Sequence, residues 1–190
     1  MDALLLDLPE QITTERLVLR PPRAGDGAAM NEAIVESIEG LQRWMAWATP
    51  MPTPEQSESW CRKASADFIA RRQLPMLFFL RDDLSFAGSS GMHVVHWDVP
   101  RFEIGYWVRR RLEGQGYVAE AVAALTKFCF ETLGAQRVEI VTDDRNERSW
   151  RVPERLGFRL EGVLRNEKRD AHGLRDTRVY AVTEPLAASR

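Results

Sequence analysis

Residues Arg109–Ala121, RRRLEGQGYVAEA, place three arginines, glycines at 114 and 116 and the beginning of a helical pattern side by side. A helix N-terminus leaves backbone N–H groups without partners, and its dipole puts partial positive charge there, so anions bind at such an end. Glycine at 114 and 116 lets the backbone approach an oxyanion and take positive φ, so that successive amides can converge on a diphosphate. Arg109, Arg110 and Arg111 add attraction and candidate phosphate contacts. The segment predicts a phosphate cradle. No Gly-Lys-Ser/Thr follows, which excludes a P-loop. Gly114–Ala119 also satisfies the G-x-G-x-x-A dinucleotide pattern, with Asp143 and Asp144 where a ribose-binding acid could stand. Against that reading, Arg109–Glu113 separate the preceding strand from the first glycine, and a single βαβ unit leaves the second half of a dinucleotide site missing.

Other reactive residue types are sparse. Cys61 and Cys129 lie in apolar, helical stretches with no CxxC or HxxxH spacing, which predicts buried thiols in a reducing compartment and no metal site. His93 and His96 share a strand at odd spacing, hence opposite faces, so one of them can approach a cleft, but ordinary packing or solvent exposure is the expectation; His172 falls in the hairpin turn. The 190 residues carry a formal net charge of −2, which gives no basis for nonspecific attraction to nucleic acid or an anionic membrane. The N-terminal segment lacks a basic region and no apolar run approaches the length of a span, so the expectation is a cytoplasmic protein.

The elements that must position the glycine loop follow from periodicity. RLVLRPP (Arg16–Pro22) reads as a strand stopped by prolines. Asp26 is the expected N-cap of a helix through Ala28, Met30, Ile34 and Val35. Thr53, Pro54 and Gln56 form a capping box for a second helix, whose core stripe is Trp60, Cys61, Ala64, Phe68 and Ile69. Pro75–Leu80, Ser89–Trp97 and Phe102–Val108 are three strands with short connections, an antiparallel meander. A third helix follows the glycines, with Val118, Val122, Leu125 and Cys129 on one stripe and Gly134 as its stop. Arg137–Thr142 is a strand, Asn146–Phe158 holds a short helix, and Phe158–Arg165 with Asp176–Val182 form a hairpin. The order β-α-α-β-β-β-α-β-α-β-β describes an α+β layer fold around one mixed sheet, in a single domain covering residues 1–190.

Arg111-Leu112-Glu113-Gly114-Gln115-Gly116 resembles the R/Q-x-x-G-x-G/A pyrophosphate loop of the GNAT N-acetyltransferases. TERLVLRPP, FEIGYWV, GQGYVAEA, NERSWRVPERLGF and FRLEGVLR, in that order from about residue 13 to 182, are similar to the RimJ/RimL branch, the ribosomal-protein N-terminal acetyltransferases and their relatives. The resemblance implies the GNAT fold, with about four helices around a sheet whose fourth and fifth strands splay apart, and acetyl-CoA as co-substrate without a metal.

It also implies roles for particular residues. Tyr106, Trp107 and Val108 would offer backbone groups to the pantetheine arm, their side chains being free to pack. Arg111, Gly114, Gln115, Gly116, Tyr117 and Val118 would meet the pyrophosphate. Glu103 stands where many relatives carry a general base acting directly or through water; the alternative is a structural carboxylate bonded to the neighbouring loop. Ser149 matches a serine that serves the CoA sulfur, or else a helix-cap hydroxyl, and Asn146 either fixes the pantetheine or caps that helix. Trp44 and Trp47 would wall the acceptor site or form a lid over the core. Pro153 replaces the tyrosine acid of many relatives, which shifts the acid role to Ser149 or water. The function implied is direct transfer of acetyl from acetyl-CoA to a primary amine, on a protein N-terminus or a small molecule, with no nucleic-acid or membrane partner and room for a homodimer. A noncatalytic acyl-CoA-binding module and a nucleotide-binding oxidoreductase are the rivals.

Overall fold

The computed structural model describes residues 2–170 and 173–186; the turn expected around Ala171 and His172 lies outside the described residues. Eight strands form one sheet: β1 (Ile12–Thr13), β2 (Leu17–Arg20), β3 (Leu74–Leu80), β4 (Phe86–His96), β5 (Arg101–Val108), β6 (Arg137–Asp143), β7 (Arg159–Asp170) and β8 (Gly173–Val182). Four helices pack on it: α1 (Gly27–Trp44), α2 (Pro54–Ile69), α3 (Tyr117–Glu131) and α4 (Glu147–Arg155). The spatial order is β1-β2-β3-β4-β5-β6-β8-β7. Two-residue β1 is the strand the sequence pattern does not show, too short to carry a period. The strand expected as fourth is therefore β5, and the splay falls between β5 and β6.

Helix starts show how local chemistry is redirected by the fold. Thr53 Oγ1 accepts from the Gln56 N–H and Gln56 Oε1 from the Thr53 N–H, with Pro54 in the first turn, as expected. Asp26 precedes α1 but makes no side-chain cap. Its carboxylate is held instead by both terminal nitrogens of Arg20 at 2.7 Å, and Glu58 of α2 accepts from the Gly25 and Gly27 N–H groups in its place. The buried stripe of α1 runs through Met30, Ala33, Ile34, Ser37 and Leu41, whereas Val35 and Ala28 are exposed. On α2, Cys61, Ala64 and Phe68 are buried as expected, but Ile69 faces solvent and Trp60 turns its ring to a cavity.

Strands β3, β4 and β5 pair antiparallel, as the short connections require. The β5–α3–β6 crossover gives the parallel pair, and only Arg101, Phe102 and Glu103 are in register with Arg137, Val138 and Glu139. Beyond Glu103 the two strands diverge. Apolar side chains divide between the sheet's two faces: Phe102 and Ile104 join α3 in one core cluster, and Trp107 packs with the other, which includes Met30, Ile34 and Leu41 of α1. Strand alternation thus gives β5 one face toward α3 and α4 and another toward α1 and α2.

Candidate active site

The parting of β5 from β6 opens a wedge whose floor is a cavity of about 870 Å³. Glu139 closes its apex, bonded to Arg137 Nε at 2.8 Å, with Arg101 at 3.9 Å. From Ile104 to Val108, β5 stays paired with β4 on one edge, while the edge that faced β6 is open. The expected backbone segment Tyr106-Trp107-Val108 lies along that open edge.

At the wide end of the wedge stands the N-terminus of α3. Gly114 and Gly116 have φ of +75° and +85°, and Gly116 is the left-handed N-cap residue with no side-chain cap on the helix. A Cβ on Gly114 would meet nothing within 4 Å, and one on Gly116 only Arg16 Nη2 at 3.4 Å, so the glycines are open and not packed against chain. This is a shape a diphosphate fits. The arginines sort differently from expectation. Arg109 is 6% exposed and held by Glu32 and Glu36 of α1, and Arg110 pairs with Glu39 at 3.0 Å. Those two anchor the loop to α1, where the Arg111 N–H also donates to Glu36 at 3.0 Å, and of the three guanidinium groups that of the exposed Arg111 has no ion pair among the described residues. The signal was in the sequence: Glu32, Glu36 and Glu39 recur at helical spacing and face the basic run.

Arg16 is the loop residue that sequence reasoning missed. Its Nη1 donates to the Gln115 carbonyl at 2.9 Å, its Nε bonds Glu120 at 2.6 Å, and its guanidinium lies 4.5 Å from the Tyr117 ring centroid. Glu120 also accepts from Thr14 Oγ1 and the Arg16 N–H. Burial raises the Glu120 carboxyl, but these bonds outweigh it and hold the group below its ordinary range. Nothing in local spacing links residue 16 to residue 115; the contact is created by β2 running beside α3.

The reacting end has two faces. Toward α4, the Tyr106 hydroxyl donates to the Ser149 carbonyl at 2.8 Å, and Ser149 Oγ lies 3.3 Å from the same hydroxyl. Burial pushes the Tyr106 phenol well above its ordinary value, so it remains a proton donor. Asn146 Oδ1 caps α4 by accepting from the Ser149 N–H at 3.2 Å and also lines the cavity. Capping is therefore Asn146's observed contact, and it leaves the Ser149 hydroxyl free of that task. Pro153 lies inside α4, where it can donate no proton.

Toward α1 and α2, Glu103 lines the cavity, and its side chain makes no hydrogen bond or ion pair among the described residues. Burial raises its pKa, the Glu139 carboxylate adds to this, and Lys168 and Arg101 oppose it. His93 is an exposed residue, as expected, and it also lines the same cavity. The ladder slips between Met92 and Val94, so His93 is a bulged residue on the face of Glu103. His96 is exposed.

Trp44 and Trp47 both line the cavity, with Trp60 opposite, and Trp47 and Trp60 keep 46% and 36% of their surface accessible. Trp47 stands 6.2 Å from Trp107, ring to ring. Trp44 is flanked by the guanidinium groups of Arg43 and Arg175 at 4.8 and 5.0 Å. Arg175 bonds Asp143 at 2.5 Å and also Asp170, joining the β7–β8 hairpin to β6. Asp144 bonds Arg178 at 2.7 Å. Both acids of the dinucleotide reading are thus occupied by arginine. Cys61 and Cys129 are buried, their thiols raised by burial, Cys61 to about 12. No group of three or more His, Cys, Asp or Glu side chains able to hold a metal occurs among the described residues, and no helix among them is long and apolar enough to cross a membrane.

A mixed sheet parted at its parallel pair, with an uncapped helix N-terminus at the mouth and two sets of proton-active side chains at the apex, defines a coenzyme A-dependent acyltransferase. The family model of the acetyltransferase (GNAT) domain matches residues 16–159, and the chain belongs to this family, which uses acetyl-CoA as acyl donor. It is 30% identical over 156 residues to YdaF of Bacillus subtilis (strain 168), a protein carrying a ribosomal N-acetyltransferase name, covering 80% of this chain and 82% of that one. Mycobacterium smegmatis RimJ, solved with CoA-disulfide, is similar at 28% identity with a TM-score of 0.79, covering 88% of this chain and 81% of RimJ. The microcin C7 self-immunity acetyltransferase MccE, solved with acetyl-CoA and AMP, shares the fold with a TM-score of 0.87 at 21% identity, covering 93% and 98%.

Proposed function

We propose that this enzyme moves the acetyl group of acetyl-CoA directly to the α-amino group of a protein N-terminus, a reading that the ribosomal N-acetyltransferase name of YdaF supports, within a reducing cytoplasm. The observation that carries the reading is the wedge itself, which has a phosphate cradle at one end and an unbonded carboxylate at the other. The loop amides from Gly114 to Val118, with Gln115 and Arg111, would take the diphosphate. The open edge of Tyr106, Trp107 and Val108 would pair with the pantetheine amides, with Asn146 alongside. The donor supplies a thioester carbonyl, already activated toward an amine.

Ser149 and Tyr106 serve the sulfur side, where the departing thiolate takes a proton. Because a free thiol has a pKa of about 8.5, the thiolate leaves without strong acid help, and this side contributes modestly. Glu103 serves the acceptor side, either receiving the ammonium proton directly or through water, or holding the ammonium by its charge for a neighbouring base. Trp44 and Trp47 wall the acceptor. A second reading, a small-molecule amine, is favoured by the enclosing aromatic wall of Trp44, Trp47 and Trp60. Thiol release from acetyl-CoA, followed over N-terminal peptides and small amines side by side, decides between them. Tight binding of acetyl-CoA with no release from any amine would instead mark a noncatalytic binding module.

A further inference from the structure

The acceptor face of β5 carries more chemistry than Glu103. Strand pairing with β6 ends at Glu103, so the first residue beyond the apex on that face is Gly105. A Cβ there would stand 2.5 Å from His93 Cδ2 and 2.7 Å from His93 Nε2. The missing side chain is what makes room for the imidazole, which lies directly on the β5 backbone where the wedge opens. The bulge at His93 is what brings the ring to this face: Met92 and Ile104 remain opposite each other in the core, and Val94 faces Glu103. His93 makes no hydrogen bond among the described residues, and it is an exposed residue that lines the cavity. The imidazole thus lies over Gly105 beside the opening of the wedge, accessible, unbonded and one position past an unbonded carboxylate.

We infer that His93 is a further catalytic residue: its Nε2 receives the proton of the acceptor ammonium, while Glu103, at the apex, holds that ammonium by charge. The inference rests on the transferase reading and deepens it. In the step, an N–H bond of the ammonium breaks, its electron pair stays on nitrogen, and the proton passes to the neutral imidazole. The freed pair then forms the C–N bond at the thioester carbonyl. The C–S bond breaks with its electrons on sulfur, which takes the amine's remaining excess proton, and the imidazolium returns its own to solvent. The cavity wall partly desolvates the His93 ring and lowers its pKa, which favours the neutral imidazole. The charged groups sharing the cavity wall are Glu103 on β5, Asp143 on β6, Lys168, Arg169 and Asp170 on β7, and Arg175 on β8, with Arg43 at the end of α1. Asp143 and Asp170 are both bonded to Arg175, Lys168 lies 3.9 Å from Glu167, and at Glu103 the charges of Lys168 and Arg101 oppose those of Glu139 and Glu167.

The test combines a titration with kinetics on the full-length enzyme. NMR of the imidazole C–H signals, with His93 assigned by its loss in His93→Gln, gives the free-enzyme pKa without turnover. The acid limb of kcat/KM for the amine also reports the free enzyme. The expected result is that the wild-type limb coincides with the NMR value of His93, below the ordinary imidazole range. His93→Gln removes the limb and lowers kcat on the order of a hundredfold or more, with CoA affinity unchanged. Glu103→Gln keeps the limb and raises KM for the amine. A limb that persists in His93→Gln and vanishes in Glu103→Gln, or a wild-type limb that does not follow the NMR titration, overturns the inference and leaves Glu103 as the receiver. The coincidence in the wild type carries the test even if the variant folds poorly. Failure of the transferase reading itself has a different signature: the wild-type enzyme releases no CoA with any amine.

Discussion

Gly116 gives the sharpest test of the phosphate cradle, because space and backbone act there separately. At φ +85° and ψ −1° it occupies the left-handed region, and its nearest prospective Cβ neighbour is the Arg16 guanidinium at 3.4 Å. An alanine therefore costs backbone strain and little crowding, about 1–2 kcal/mol. If the variant loop relaxes when free and is forced back on binding, that strain appears as a roughly 5- to 30-fold rise in Kd for CoA, at 1.4 kcal/mol per decade. Asparagine, which tolerates this conformation, should bind nearly as the parent does. Aspartate adds a like charge at roughly 5 Å from a diphosphate, worth about 1 kcal/mol at water's dielectric and about 3 at an effective value of 20. Arg16 offsets part of this. Aspartate tolerates the conformation as asparagine does, so its loss is the charge repulsion alone, and Gly116→Asp is predicted to bind about 5- to 150-fold more weakly than Gly116→Asn. Calorimetric titration with CoA at low and high salt reads both components, since only the aspartate's excess should shrink with ionic strength. Equal affinity of the asparagine and aspartate variants at low salt would refute the assignment of this loop to the diphosphate.

Arg109→Met removes the guanidinium that ties α1 to the loop; with Glu32 largely exposed, the loss is mainly that of Glu36 and comes to roughly 2 kcal/mol in urea unfolding, against 3–5 for a fully buried pair. A loss below about 0.5 kcal/mol would show that the loop does not depend on α1. Tyr106→Phe and Ser149→Ala should each lower kcat by up to about tenfold, consistent with a tolerable leaving group, and the double variant should be no worse than the poorer single one, because the two hydroxyls act as a pair. Multiplying effects in the double-variant cycle would separate their roles. Cys61 and Cys129, buried and raised by that burial, should resist iodoacetamide at pH 8 until the protein unfolds; rapid labelling of the native enzyme would contradict their placement.

What the sequence disclosed and what it hid divide along the range of the interactions. The capping box at Thr53, the meander and the left-handed glycines are local, set by turn chemistry and period within a few residues, and they stand as expected. The wedge could be anticipated from FEIGYWV and the loop after it, through family resemblance. Asp26 failed as a cap because Arg20, six residues away, competes for its carboxylate with two bonds. Arg16 was invisible because its partners lie a hundred positions off. His93 is exposed as expected, but it does not face opposite His96, because simple alternation governs only an unbroken strand and the bulge between Met92 and Val94 resets the period.

The wedge persists because its open backbone is held by the enzyme's own side chains. A strand edge with unpaired N–H and C=O groups invites closure by its neighbour. Here the apex is clasped by Arg137 and Glu139, with Glu161 bonded to Arg137 at 2.6 Å from β7, and β6 turns its other edge to β8. On β5, Ser90 Oγ donates to the Gly105 carbonyl at 2.8 Å, and Tyr106 ties the open stretch to α4. Glu103 and the His93 ring over Gly105 then lie on one face of β5 and Tyr106 on the other, so the proposed amine deprotonation and thiolate protonation would fall on opposite sides of a single strand. That separation matters physically: a base and an acid in contact would exchange the proton between themselves, whereas a strand between them lets each meet only its own half of the reaction.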